Sequence, residues 1–133
     1  MLFRSIIHEV HIGQETEEGD TQAEVLAWGI YRGEGATSGS GGGTATPEPT
    51  EAGMAASGAT VETNNTTKAV AGAGSLTLFH ASAFHVAAGL HYVPTPMGRP
   101  VISGSDFMTV TLDEAPADSI TFSGSVLFEE IGG

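Results

Sequence analysis

Apolar and polar residues alternate with a period of two along the last third of the chain. In ITFSGSVLFEEI, residues 120–131, Ile120, Phe122, Val126 and Phe128 share one face with Gly124, while Thr121, Ser123, Ser125 and Glu129 take the other. Successive strand side chains point to opposite sides, so this pattern predicts a half-buried β-strand. Gly124 in its middle marks a bulge or the close approach of another backbone. DFMTVTL repeats the pattern, with Met108, Val110 and Leu112 set against Thr109 and Thr111. Between the two, DEAPADS supplies turn residues and a proline.

Upstream, SLTLFHASAFHVAAGLHYVP predicts at least two short strands, broken near Ala81–Ser82 or near Ala88–Gly89. Pro94, Pro96 and Pro100 then mark an extended, irregular crossing, because proline is excluded from helix interiors and restricts the residue before it. RPVISGS begins another short strand. LFRSIIHEVHI near the N-terminus is β-branched and reads as a strand. AEVLAWGIYR reads as a strand or a helix: Ala23, Glu24, Leu26 and Ala27 are good helix formers, and Gly29 argues against one.

Six to eight short strands without a long helix predict an all-β fold, an antiparallel β-sandwich of jelly-roll or Greek-key type. Leu, Ile, Val and Phe number 29 of 133, but residues 33–74 hold only Val61 and Val70. A single domain over 1–133 is therefore expected, interrupted by a long flexible Gly/Ser/Pro-rich loop or arm at about 33–58. Pro47 and Pro49 stiffen a short patch of it. After it, ATVETNNTTKAV predicts a weak hairpin around Asn64-Asn65, which tolerate positive φ.

Composition narrows the function. With no cysteine, disulfides, thiol catalysis and Cys-ligated metals are excluded. Four Lys+Arg against 16 Asp+Glu give a net charge of -12, which repels phosphate backbones, so no nucleic-acid partner is expected. No apolar run approaches the roughly 20 residues of a membrane span, and the first residues lack the pattern of a signal peptide. Residues His8, His11, His80, His85 and His91 invite a metal, but His8 and His11, like His80 and His85, are odd-spaced and on regular strands face opposite sides. The cluster Glu15, Glu17, Glu18 and Asp20 lacks the ligand order of a calcium loop and reads as a solvated turn. Adjacent Glu129 and Glu130 diverge, and no Gly-x-Ser-x-Gly turn occurs. No enzyme activity, cofactor or metal is expected.

The stretch HYVPTPMGRPVISGSDFMTVTLDEAPADSITFSGSVLFEEIGG, with its proline-punctuated PTP–RP segment, Thr-rich strand, DEAPADS turn and FSGSVLFEEIG strand, resembles small virion proteins of tailed bacteriophages. More narrowly, it is similar to the decoration or cement proteins on the outside of the capsid. The resemblance implies a β-rich, non-catalytic structural protein that binds the major capsid protein and itself, as a trimer, and stabilises the shell. Made in the host cytoplasm, it would reside on the virion exterior. Two alternatives are a receptor- or carbohydrate-binding β-module of a tail or spike, and a cupin-like metalloprotein. The expected partner-contact residues are Leu2, Phe3, Ile6 and Ile7. They place apolar groups on both sides of one strand, and a small sandwich covers only one side.

Overall fold

The computed structural model describes residues 3–15, 24–117 and 119–132. Nine strands follow in order: β1 (Arg4–Gln14), β2 (Val25–Glu34), β3 (Gly43–Ala45), β4 (Val61–Thr63), β5 (Ser75–His85), β6 (Leu90–Tyr92), β7 (Val101–Ser103), β8 (Phe107–Leu112) and β9 (Phe122–Ile131). Every pairing among them is antiparallel. The fold is an all-β sandwich. In one sheet β1 is central: β9 runs along one side of it, and β7 and β6 divide the other side between them. In the second sheet β2 is central, between β5 and β8.

The core forms where the two central strands face each other. Ile7, Val10, Leu90 and Ile102 come from the β1 sheet, Leu26, Trp28, Ile30 and Phe84 from the β2 sheet, and Val86 from the turn after β5. The period-2 reading of the C-terminal strands holds. Met108, Val110, Leu112, Ile120, Phe122 and Phe128 pack against this core. Val126 lies on the same face, opposite Val10, yet is 41% exposed because β9 is an edge strand.

Two open alternatives are decided and one expectation changes. The stretch that read as a strand or a helix forms the strand β2, and a Cβ at Gly29 would meet the ends of the Tyr31, Leu78 and Asp113 side chains. The strand from Ser75 runs unbroken through Ala81–Ser82, and the break falls at residues 86–89, the Ala88–Gly89 alternative. Gly89 then takes φ +70, with its backbone against the Ile12 carbonyl. The hairpin expected around Asn64-Asn65 does not form. Asn64 does adopt φ 60, but it bends a longer two-stranded arm whose outgoing and returning chains pair with each other.

That arm continues the β2–β5 ladder. Glu34 pairs with Ser75, Thr37 bridges Val70, Ser40 bridges Thr67, and β3 pairs with β4. The segment expected to begin at 33 therefore starts two residues inside β2, where Gly33 is buried beneath the Phe107 ring. No residue from 34 to 74 is buried. Polar contacts hold the arm to the sandwich instead. The Ser57 hydroxyl and the Gly58 N–H donate to the Glu130 carboxylate (3.0 and 3.2 Å), and Lys68 Nζ donates to the Leu112 carbonyl at 2.6 Å.

Candidate docking surface

β1 carries apolar residues on both faces, and the sandwich uses one face only. Ile7 points into the core at 4% exposure, so it leaves the expected contact set: a side chain enclosed by its own sandwich cannot touch a partner. Ile6 points the opposite way and is half-buried. Phe3 is exposed, beside Gly132 and Gly58. Leu2 lies outside the described residues.

Register fixes what surrounds Ile6. It lies opposite Val101 on one side and Glu129 on the other, and Arg4 lies opposite Ile131. Leu127 pairs with Glu9 and falls on the same outward face, 47% exposed, with Ile131 at 48%. Four apolar side chains from three strands thus share the outer side of the β1 sheet: Ile6, Val101, Leu127 and Ile131. Nothing among the described strands covers them.

Histidines and glutamates occupy the rest of that face. A β-bulge between Ile7 and Glu9 inserts His8 as an extra residue in β1. This shift of phase is why Ile7 and Val10, three apart, both reach the core. It also overturns the parity argument that set His8 and His11 on opposite sides. His8 Nε2 contacts the Glu129 carboxylate at 3.1 Å, and His91 Nε2 contacts Glu9 at 2.6 Å. His11 lies opposite His91, their rings edge to face with centroids 5.4 Å apart. These cross-strand contacts tie β1 to both neighbours. Among the described residues, no three His, Asp or Glu side chains are placed to hold a metal ion.

The remaining histidines are elsewhere. His80 packs between the sheets against Tyr92 and Trp28, with ring centroids at 4.3 and 5.3 Å. Burial there raises the Tyr92 phenol above its ordinary pKa. The His85 Nδ1 accepts the Ala87 N–H in the turn after β5. His80 and His85 face opposite sides, as their spacing predicts. Glu129 and Glu130 diverge as well, one to His8 and the other to the arm. Of the acidic cluster, Glu17, Glu18 and Asp20 lie outside the described residues.

No family model, curated protein or solved structure matches this chain. An exposed patch mixing large apolar groups with paired charges is suited to meeting another protein surface: the apolar part supplies area and the charges supply orientation. Of the residues expected to make contact, Ile6 lies in this patch; Val101, Leu127, Ile131 and the His–Glu pairs were not among them. The signal for Leu127 was present, since it takes the polar face of an otherwise regular alternation.

Proposed function

We propose that the protein is a non-enzymatic structural subunit on the outside of a phage capsid, docking on the major capsid protein and stabilising the shell. The observation that carries this reading is the outer face of the β1 sheet. There Ile6, Val101, Leu127 and Ile131 lie together and stay open to solvent in the isolated chain. The net charge of -12 favours an outward position over one facing packaged nucleic acid. The resemblance of residues 91–133 to decoration proteins supplies the identity of the partner.

A carbohydrate-binding module gains no support, because an exposed indole is what stacks on a sugar and Trp28 is 2% exposed. A cupin-like metal centre gains none either, since His80 is enclosed by aromatic rings and His8 and His91 contact carboxylates on the outside.

Density-gradient sedimentation with purified phage shells tests the proposal. The wild-type chain is expected to travel with the shells, and an Ile6→Glu/Leu127→Glu variant with an unchanged circular dichroism spectrum is expected to remain at the top. Retention of the folded double variant would remove this face from docking. No retention of the wild type would remove the shell as partner.

A further inference from the structure

The free edges of the two sheets are not alike. β6 and β7 are three residues long. β5 is interrupted by a bulge at Phe79, the extra residue opposite the Ile30–Tyr31 step. β8 is capped by the arm, since Lys68 donates to the outward-pointing Leu112 carbonyl. Short length, bulges and lysines are the devices that keep edge strands from pairing with other chains. β9 has none of these three, and the arm meets it near its end, at the Glu130 carboxylate. It runs ten residues, Phe122–Ile131, without lysine or proline, and the bulge in its pairing falls on β1. Among the described strands it pairs with β1 alone.

The phase of its hydrogen bonds follows from one contact. Glu15 donates to the Thr121 carbonyl at 2.9 Å, so residue 121 faces β1. Alternation then turns the backbone groups of Phe122, Gly124, Val126, Phe128 and Glu130 away from β1, toward the open edge.

We propose that two copies of the chain join through this edge, β9 against β9, antiparallel about a two-fold axis at Val126. This register uses the strand from Phe122 to Glu130 and is complementary to itself. Val126 meets Val126, and Leu127 meets Ser125. Phe128 lies opposite Gly124, whose missing side chain leaves room for a ring. Glu129 faces Ser123 and Glu130 faces Phe122, so no two carboxylates oppose each other. The outward amides all find partners, and the two β1 sheets become one continuous sheet. The docking faces carrying Ile6 and Leu127 then lie side by side on one surface of the pair. An isologous contact of this kind closes at two copies, and it replaces the trimer expected from the resemblance.

The association is measured without shells, so its outcome is independent of capsid docking. Sedimentation equilibrium of the full chain should give twice the chain's 13.5 kDa; a mass of one or three chains overturns the proposal. Val126→Pro deletes an outward N–H and leaves the β1–β9 ladder intact. It should give a folded monomer by sedimentation and circular dichroism, and a folded dimer overturns the proposal. Should this variant fail to fold, a single cysteine reads the register, because the natural chain has none. Paired residues on the axis sit about 5.5 Å apart at Cα, within disulfide range. Oxidised Val126→Cys should become a covalent dimer, and Leu127→Cys, displaced from the axis, should cross-link far more slowly. Equal rates at both positions, or no cross-link at 126, overturn it.

Discussion

On the outer side of the β2 sheet, Ala27 and Gly29 lie beside Ala83 and Ala81 of β5, Gly29 and Tyr31 lie opposite Thr111 and Thr109 of β8, and Gly33 lies between Leu76 and Phe107. Of the larger groups there, Tyr31 and Phe107 are held by the chain itself, while Val25 and Leu78 are exposed. The Tyr31 hydroxyl donates to Asp113 at 2.9 Å, and the Phe107 ring covers Gly33. On the outer side of the β1 sheet, Ile6, Leu127, Val101 and Ile131 have no such cover. The outer side of the β2 sheet is mostly small residues, with Val25 and Leu78 exposed among them, and that of the β1 sheet gathers Ile6, Val101, Leu127 and Ile131 on three adjacent strands. Because both sheets share one core, this asymmetry is not needed for folding. Under the proposed function it marks the side that meets another surface.

Substitutions separate the two faces by size of effect. The largest loss comes from the core beneath both. Trp28→Ala should cost about 3–5 kcal/mol in urea unfolding and abolish any difference between the faces. On the self-covered face, Gly33→Val would drive a side chain into the Phe107 ring, and a loss of about 1–3 kcal/mol is expected in the same assay. A neutral result would mean that Phe107 moves aside freely and that this face is not self-packed.

On the open face the expectation reverses. Leu127→Ser should change stability by no more than about 0.5 kcal/mol while reducing retention on shells. Loss of stability comparable to a core substitution would show that Leu127 packs within its own chain. Glu129→Gln removes the carboxylate facing His8; both groups are partly exposed, so the change should stay within about 1 kcal/mol.

The smallest effect concerns Tyr31. Its hydrogen bond to Asp113, helped by desolvation and the carboxylate charge, raises the phenol above its ordinary value of 10.0. A group raised in the fold contributes stability that is complete below its unfolded pKa and is lost as pH climbs through the folded one. Thermal melts should therefore show a slight alkaline loss in the wild type that Tyr31→Phe lacks.

The faces of β8 and β9 were legible because strict alternation carries its own register: Met108, Val110, Leu112, Phe122 and Phe128 all lie where their spacing puts them. The outward face of β1 was half legible. Apolar Ile6 beside Ile7 signalled two buried sides, but the bulge at His8 leaves no mark in composition and shifts every residue after it. The His–Glu pairs depend on that shift. His8 reaches a residue 121 positions away, a distance at which local pattern says nothing. The pairing within the arm was not legible for a related reason: its flanks pair across a long closed loop, Thr37 with Val70, and few apolar residues advertise the match.

β1 and β9 join opposite ends of the described chain, Arg4 against Ile131. Closing so long a loop is slow, because its entropy is lost before the contacts form. During synthesis β1 emerges first and waits, the backbone edge it offers β9 unpaired, until β9 leaves the ribosome. A ribosome stalled before Phe122 therefore holds a chain whose central strand has no partner on that side. Such a product is prone to aggregation and open to proteolysis, so only a finished polypeptide can complete the sheet that bears the outer apolar face.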